Sequence, residues 1–368
     1  MRNYSIDILR GIAILLVLIH HFNIPYKLHD TFLGVHVFGE SLSTLIARNG
    51  NYGVTLFFVI SGFLITTHSL ERYGSLAKIN FKAFYIRRIA RIMPCLLLLI
   101  AMVSGLAALG LKPFMNQAPN GIEVSYGLTL FAALSFWMNL LIIQYGWVNY
   151  ALGVLWSLSV EEVFYVAFPI LCLIFSWKNT FILFLFGIIA YAPYFRSLHA
   201  GDESGAYLYH YFSSFDGIAI GCLTALLLHR FKLNMPYKNT LITLVSLLMC
   251  SVYFYAPIKE ISTWGVSVFA GLSAILILLV SQKSADISAR AFYSQFLVWV
   301  GQRSYEMYLF HLIILGLFKV FYFPKDTLAT EKLMLLPLYF LGVFLLSWVI
   351  EKYYSTPLNL MIRQKFLS

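Results

Sequence analysis

Eleven apolar stretches follow one another along the chain, near residues 6–24, 50–68, 85–109, 125–145, 157–176, 179–195, 211–229, 239–256, 262–281, 296–321 and 333–352. Each approaches or exceeds the run of about 20 apolar residues that carries a helix across a bilayer. In hydrocarbon every backbone N–H and C=O must be paired internally, so such segments fold as helices. The expected fold is therefore all-α, a polytopic integral membrane protein. With 60% of 368 residues hydrophobic and only 11% charged, a water-soluble globule is excluded.

Basic residues orient the crossings. The connection 69–84 and the start of the next stretch carry Arg72, Lys78, Lys82, Arg87, Arg88 and Arg91, which the positive-inside rule places in the cytoplasm. The same rule assigns to that side the connections with Arg230, Lys232 and Lys238 and with Lys283 and Arg290, and the tail with Lys352, Arg363 and Lys365. An even number of crossings must separate the first two of these regions, yet five stretches lie between them. One of the five does not cross. Residues 125–145, with Ser125, Ser135, Asn139 and Gln144 and the Gly146–Gly153 segment after them, suit a re-entrant or surface-lying piece; 179–195 is the rival. About ten crossings remain, with both termini cytoplasmic. The net charge of +10 is then topology; no basic tail exists to bind nucleic acid.

No linker or short repeat divides the chain, so a single domain over 1–368 is expected, with no soluble appendage. The first apolar run lacks a small-residue cleavage pattern and is expected to stay as the first membrane helix. Cys95, Cys172, Cys222 and Cys250 all lie in apolar runs without paired or zinc-type spacing, which reads as core packing, with no metal.

An ionisable group at membrane depth costs several kcal/mol unless it is paired or lines a wet cavity, roughly 3 or more by most scales, so each is a functional candidate. Arg10 and His21 stand eleven residues apart in the first stretch, about 16 Å of helical rise. Arg87, Arg88 and Arg91 cluster within two turns, a forked site suited to phosphate oxygens. Glu161 and Glu162 follow Trp156, Ser157 and Ser159; Glu162 and Asp216 read as complements to helix dipoles. Gly50, Gly53, Ser61 and Gly62 read first as close helix contact. In WVGQRSYEMYLFH, Glu306 can pair with Arg303, and His311 reads as a packed histidine first and a substrate contact second.

Taken in order, LRGIAILLVLIHH, GVTLFFVISGFLI, FYIRRIARIMP, LWSLSVEEVFYVAFP and GQRSYEMYLFH resemble the acyltransferase 3 family of membrane O-acyltransferases over nearly the whole chain. The resemblance implies transfer of an acyl group, usually acetyl, from cytoplasmic acyl-coenzyme A to a hydroxyl of an extracytoplasmic acceptor. O-antigen lipopolysaccharide, another envelope polysaccharide or a small molecule would be the acceptor, and the bacterial inner membrane the location. The family's Arg and His separated by ten positions match Arg10 and His21, with His20 as an extra neighbour. Its Arg pair matches Arg88 and Arg91, and its Trp-Ser-Leu with a following Glu matches Trp156, Ser157 and Glu161. Many bacterial relatives add a C-terminal hydrolase-like domain; this chain ends shortly after its last apolar stretch, so acceptor choice is expected from the membrane domain and its loops, chiefly Ile24–Asn49.

In the expected mechanism Arg10, Arg87, Arg88 and Arg91 hold the donor's phosphates. Neutral His21 is general base, and Glu161 orients its ring as the acid of a triad does. Trp156, Ser157, Ser61, Tyr305 and His311 are the expected substrate contacts. The competing class is a transporter with intramembrane Arg, His and Glu as substrate or proton sites, which broken helices in two corresponding halves would favour.

Overall fold

The computed structural model describes residues 3–37, 39–175, 178–231, 236–281 and 292–367. Lys232, Lys283 and Arg290, expected on the cytoplasmic side, lie outside them. The chain is 81% helical with almost no strand; a two-residue antiparallel pair joins His36–Val37 to Glu40–Ser41. Among the described residues ten helices are long and apolar enough to cross a membrane. They are α1 (Tyr4–Asn23), α3 (Asn51–Tyr73), α4 (Phe81–Ala108), α7 (Leu155–Ile174), α8 (Lys178–Leu198), α10 (Tyr211–Arg230), α11 (Lys238–Tyr255), α12 (Ile258–Ser281), α14 (Ser304–Phe321) and α15 (Ala329–Ile350). Shorter helices are α2 (Leu42–Ala47), α5 (Tyr126–Leu134), α6 (Met138–Tyr145), α9 (Ala206–Tyr209), α13 (Phe292–Gln302) and α16 (Thr356–Leu367). This is a multi-pass all-α membrane protein.

The stretch 125–145 is the one that supplies no spanning helix. It is broken into α5 and α6 at Phe136, whose φ of 60° is left-handed. At about 1.5 Å per residue neither piece exceeds roughly 14 Å, half the hydrocarbon thickness. The hydroxyl of Ser159 accepts the backbone N–H of Met138 at 3.2 Å, capping α6 from α7.

Two boundaries differ from the expected ones. The stretch 296–321 divides at Arg303 into α13 and α14, and beyond residue 350 the helix continues through a π turn, Glu351–Ser355, into α16. Side-chain pairing accounts for both. Arg303 meets Glu351 at 3.3 Å, and the Ser355 hydroxyl donates to Glu306 at 2.7 Å, so the start of α14 is tied to the π turn.

The described residues form two compact units interleaved along the chain. Unit one draws on Met1–Leu15, Asn51–Asn80 and Val160–Gln302; unit two draws on Leu16–Gly50, Phe81–Ser159 and Arg303–Ser368. Within unit one, α3 and α10 approach so closely that Gly62 lies against the Ile218 carbonyl and Gly221 against the Val59 carbonyl, with no room for a Cβ at either. Cys95, Cys172 and Cys222 are buried, whereas Cys250 is exposed on α11, against the expectation of core packing. Along an amphipathic helix in lipid, apolar type alone does not tell the packed face from the lipid face.

Candidate active site

In unit two, α14 acts as a ladder. Near its start Tyr305 donates its hydroxyl to the Ile92 carbonyl at 3.1 Å, and the Arg91 guanidinium carbon stands 5.8 Å from the Tyr305 ring centre. Arg91 is exposed, while Arg87 and Arg88 are half-buried; Arg88 lies 5.9 Å from the Phe84 ring. Six residues on, about 9 Å of rise, His311 is fully buried. Its ring centre is 4.8 Å from that of His21 in an edge-to-face arrangement, and His20 stands 5.2 Å from His21 on the other side.

The three imidazoles share one tautomer. A carbonyl oxygen carries no proton, so a ring nitrogen bonded to one must donate. His21 Nδ1 donates to the Val17 carbonyl at 2.9 Å, His20 Nδ1 to the Ala47 carbonyl at 2.6 Å, and His311 Nδ1 to the Tyr308 carbonyl at 2.7 Å. In each neutral ring the lone pair is therefore on Nε2. That atom of His311 is buried and has no hydrogen-bond partner among the described residues. Below the cluster, buried Ser157 donates to the Tyr308 hydroxyl at 2.6 Å, and Tyr308 donates to the Val154 carbonyl at 3.1 Å. Trp156, its neighbour on α7, is 4% exposed.

Unit one holds the remaining expected residues. Ser61 on α3 donates to Glu161 Oε1 on α7 at 2.5 Å, and the Tyr165 hydroxyl joins both. Arg10 lies on α1, eleven residues before His21 along the same helix. Asp216, read from sequence as a dipole complement, is instead fully buried in an ion pair with fully buried Arg196 at 2.8 Å. Ser267 donates to the same carboxylate at 2.6 Å, and Arg196 also donates to the Ser213 carbonyl at 2.5 Å.

Sequence reasoning missed Tyr165, Arg196 and Tyr308 as partners. Tyr165 and Tyr308 carried a usable signal, lying one turn from a candidate residue, Glu161 and His311 respectively. Arg196 stands one residue past the 179–195 stretch, in the last turn of α8, where hydropathy gives no signal of burial. Among the described residues no group of three His, Cys, Asp or Glu side chains is placed to hold a metal ion.

A family described as an acyltransferase domain matches residues 3–352. The peptidoglycan O-acetyltransferase OatA of Listeria monocytogenes is 27% identical over 332 residues, covering 85% of this chain and 49% of that protein. A Staphylococcus aureus (strain COL) protein with a provisional O-acetyltransferase name is 28% identical over 340 residues, 86% of this chain and 51% of its own. A Bacillus subtilis protein provisionally named a peptidoglycan O-acetyltransferase is 28% identical over 334 residues, 85% and 48%. The chain spans about half the length of the curated relatives it matches. No solved structure matches it.

Proposed function

From the premise that this chain belongs to that acyltransferase family, we propose that it moves an acetyl group from cytoplasmic acetyl-coenzyme A to a hydroxyl of an extracytoplasmic cell-envelope glycan. The observation that carries the reading is the tautomer of His21: with Nδ1–H engaged by the Val17 carbonyl, Nε2 offers its lone pair. A neutral imidazole of that kind suits removal of a proton from a sugar hydroxyl. The hydroxyl oxygen attacks the thioester carbon, the C–S bond breaks, and the proton held on Nε2 passes to the departing thiolate.

Arg87, Arg88 and Arg91 are proposed to hold the donor's phosphates. Tyr305 keeps Arg91 in place, and about 9 Å of α14 separates that end from His311 and the neighbouring His21. A pantetheine arm readily spans such a distance. Because the Nδ1–H of His21 donates to the Val17 carbonyl, that carbonyl is proposed to take the ring-orienting task foreseen for Glu161. Glu161 is proposed as a supporting carboxyl of unit one, held in place by hydrogen bonds from Ser61 and Tyr165. Ser157, Trp156 and Tyr308 support the helix face beneath the imidazoles. The bacterial inner membrane is the proposed location.

The test supplies radiolabelled acetyl-coenzyme A to the cytoplasmic face of vesicles carrying the full chain and a glycan inside. Label on the glycan, absent with His21→Ala, is expected. Labelled acetyl-coenzyme A arriving intact in the lumen would make the protein a transporter and sink the reading.

A further inference from the structure

Beyond His311 the ladder of α14 reaches groups that the proposed chemistry leaves unused. Lys319 places its ammonium 3.8 Å from the centre of the Tyr150 ring. The Tyr150 hydroxyl is buried without a hydrogen-bond partner among the described residues, and so is that of Tyr339, a side chain with 0% exposure. Tyr150 lies within electrostatic reach of both Tyr26 and Tyr339. Phe22, the residue after His21, has its ring centre 5.4 Å from those of Tyr26 and Tyr339 alike. All five residues belong to unit two.

Packing alone does not call for these hydroxyls. A buried hydroxyl left unmatched is unfavourable, and phenylalanine would fill the same volume without that penalty. The Tyr26 hydroxyl shows the contrast, since it donates to the Tyr322 carbonyl at 2.7 Å. Nor is Tyr150 adrift on a loop. Its neighbour Asn149 is buried and donates to the Phe114 carbonyl at 3.0 Å and to Asn116 Oδ1 at 3.2 Å. Irregular backbone held this firmly presents a fixed side chain. An ammonium over a phenol ring also draws charge from it, which strengthens the O–H as a donor.

Resting on the acyl-transfer reading above, we propose that the Tyr150 and Tyr339 hydroxyls form a subsite for the sugar acceptor, with Lys319 as its positioning residue. The ligand class is a hydroxyl-rich ring, because a phenol both donates to and accepts from a sugar hydroxyl. Phe22, whose ring packs on Tyr339, directly follows His21, where the acceptor hydroxyl would lose its proton.

The experiment uses the full chain in proteoliposomes with chitotetraose as acceptor probe and compares Tyr150→Phe, Tyr339→Phe and the double variant. Each single change should raise the acceptor KM about fivefold, the effect of one lost hydrogen bond. The KM for acetyl-coenzyme A and the thermal midpoint should not fall. An unchanged acceptor KM together with a raised midpoint would mean that the hydroxyls are only poorly satisfied packing, and the proposal would be overturned. If the wild-type protein transfers nothing, midpoints with and without chitotetraose decide separately. A ligand-induced rise lost in the double variant supports the subsite though the acyl-transfer reading fails; no rise in the wild type overturns the subsite too.

Discussion

The two units differ in the polar groups gathered at their centres, a buried ion pair in unit one and a cluster of imidazoles in unit two. In unit one Arg196 is paired with Asp216 and the Ser213 carbonyl, and Glu161 accepts from Ser61 and Tyr165. In unit two His311 Nε2 and the hydroxyls of Tyr150 and Tyr339 are unpartnered among the described residues, as the Tyr52 and Thr66 hydroxyls are in unit one; what unit two adds is the cluster of three imidazoles. A closed charge pair holds helices together, because breaking it strands an ion in low dielectric. Open neutral groups cost less to bury and remain available to a visiting molecule. Chemistry is therefore to be sought first among the imidazoles of unit two, and cohesion in the Arg196–Asp216 pair of unit one.

The sharpest way to break that contrast is His21→Ala. Acetyl transfer should fall 10²–10⁴-fold, roughly the contribution of a positioned base, with membrane-inserted protein unchanged on a blot. Full activity in this variant, with loss in His20→Ala, would move the base by one residue. Asp216→Ala should do the converse. Leaving Arg196 buried without its carboxylate should lower stability by about 3–5 kcal/mol, read as a fall in the thermal midpoint in detergent. The double change Arg196→Met with Asp216→Leu should recover much of it. If Asp216→Ala kept its midpoint but lost transfer, unit one would hold chemistry after all.

Arg91→Ala sharpens the picture at the donor end. Removal of one charge-assisted phosphate contact, worth about 1.5–3 kcal/mol, should raise the KM for acetyl-coenzyme A about tenfold or more and leave the acceptor KM alone. The smallest effect belongs to a half-exposed pair of unit two, buried Lys332 with exposed Asp30 at 2.7 Å. The hydrogen bond from the Lys332 ammonium holds the Asp30 carboxyl below its ordinary range. A carboxyl so lowered adds stability above its unfolded pKa and loses it as pH falls through the folded one. Since Asp30 is 40% exposed, the pair should contribute under about 1 kcal/mol. Melts of wild type and Asp30→Asn at descending pH should converge once Asp30 is protonated.

Much of the fold was legible beforehand because hydropathy acts locally. Ten spans and the one interrupted stretch follow from counting apolar residues between basic connections, and Ser135 and Asn139 already marked 125–145 as unlike the others. The break at Arg303 was not legible, since WVGQRSYEMYLFH reads as one helix until Glu351 appears opposite Arg303. Among the candidate residues, Arg91, His21, Glu161 and His311 were visible by type and spacing. Their partners were not. Nothing in LRGIAILLVLIHH says that the Val17 carbonyl accepts a hydrogen bond from His21 Nδ1, nor that Ser61 and Tyr165 share one oxygen of Glu161.

By itself, then, the sequence determined that this chain is helical, lies in a bilayer, and carries a guanidinium cluster and a histidine on separate helices. Those follow from transfer free energies and helical periodicity, which depend only on near neighbours along the chain. The tertiary structure alone decided that His21 from the first helix meets His311 from the fourteenth, that Asp216 answers Arg196, and that Tyr150 and Tyr339 are buried with their hydroxyls unmatched. Such pairings depend on which helix faces pack together. That choice is made by the fit of many side chains at once, and no local run of residues encodes it.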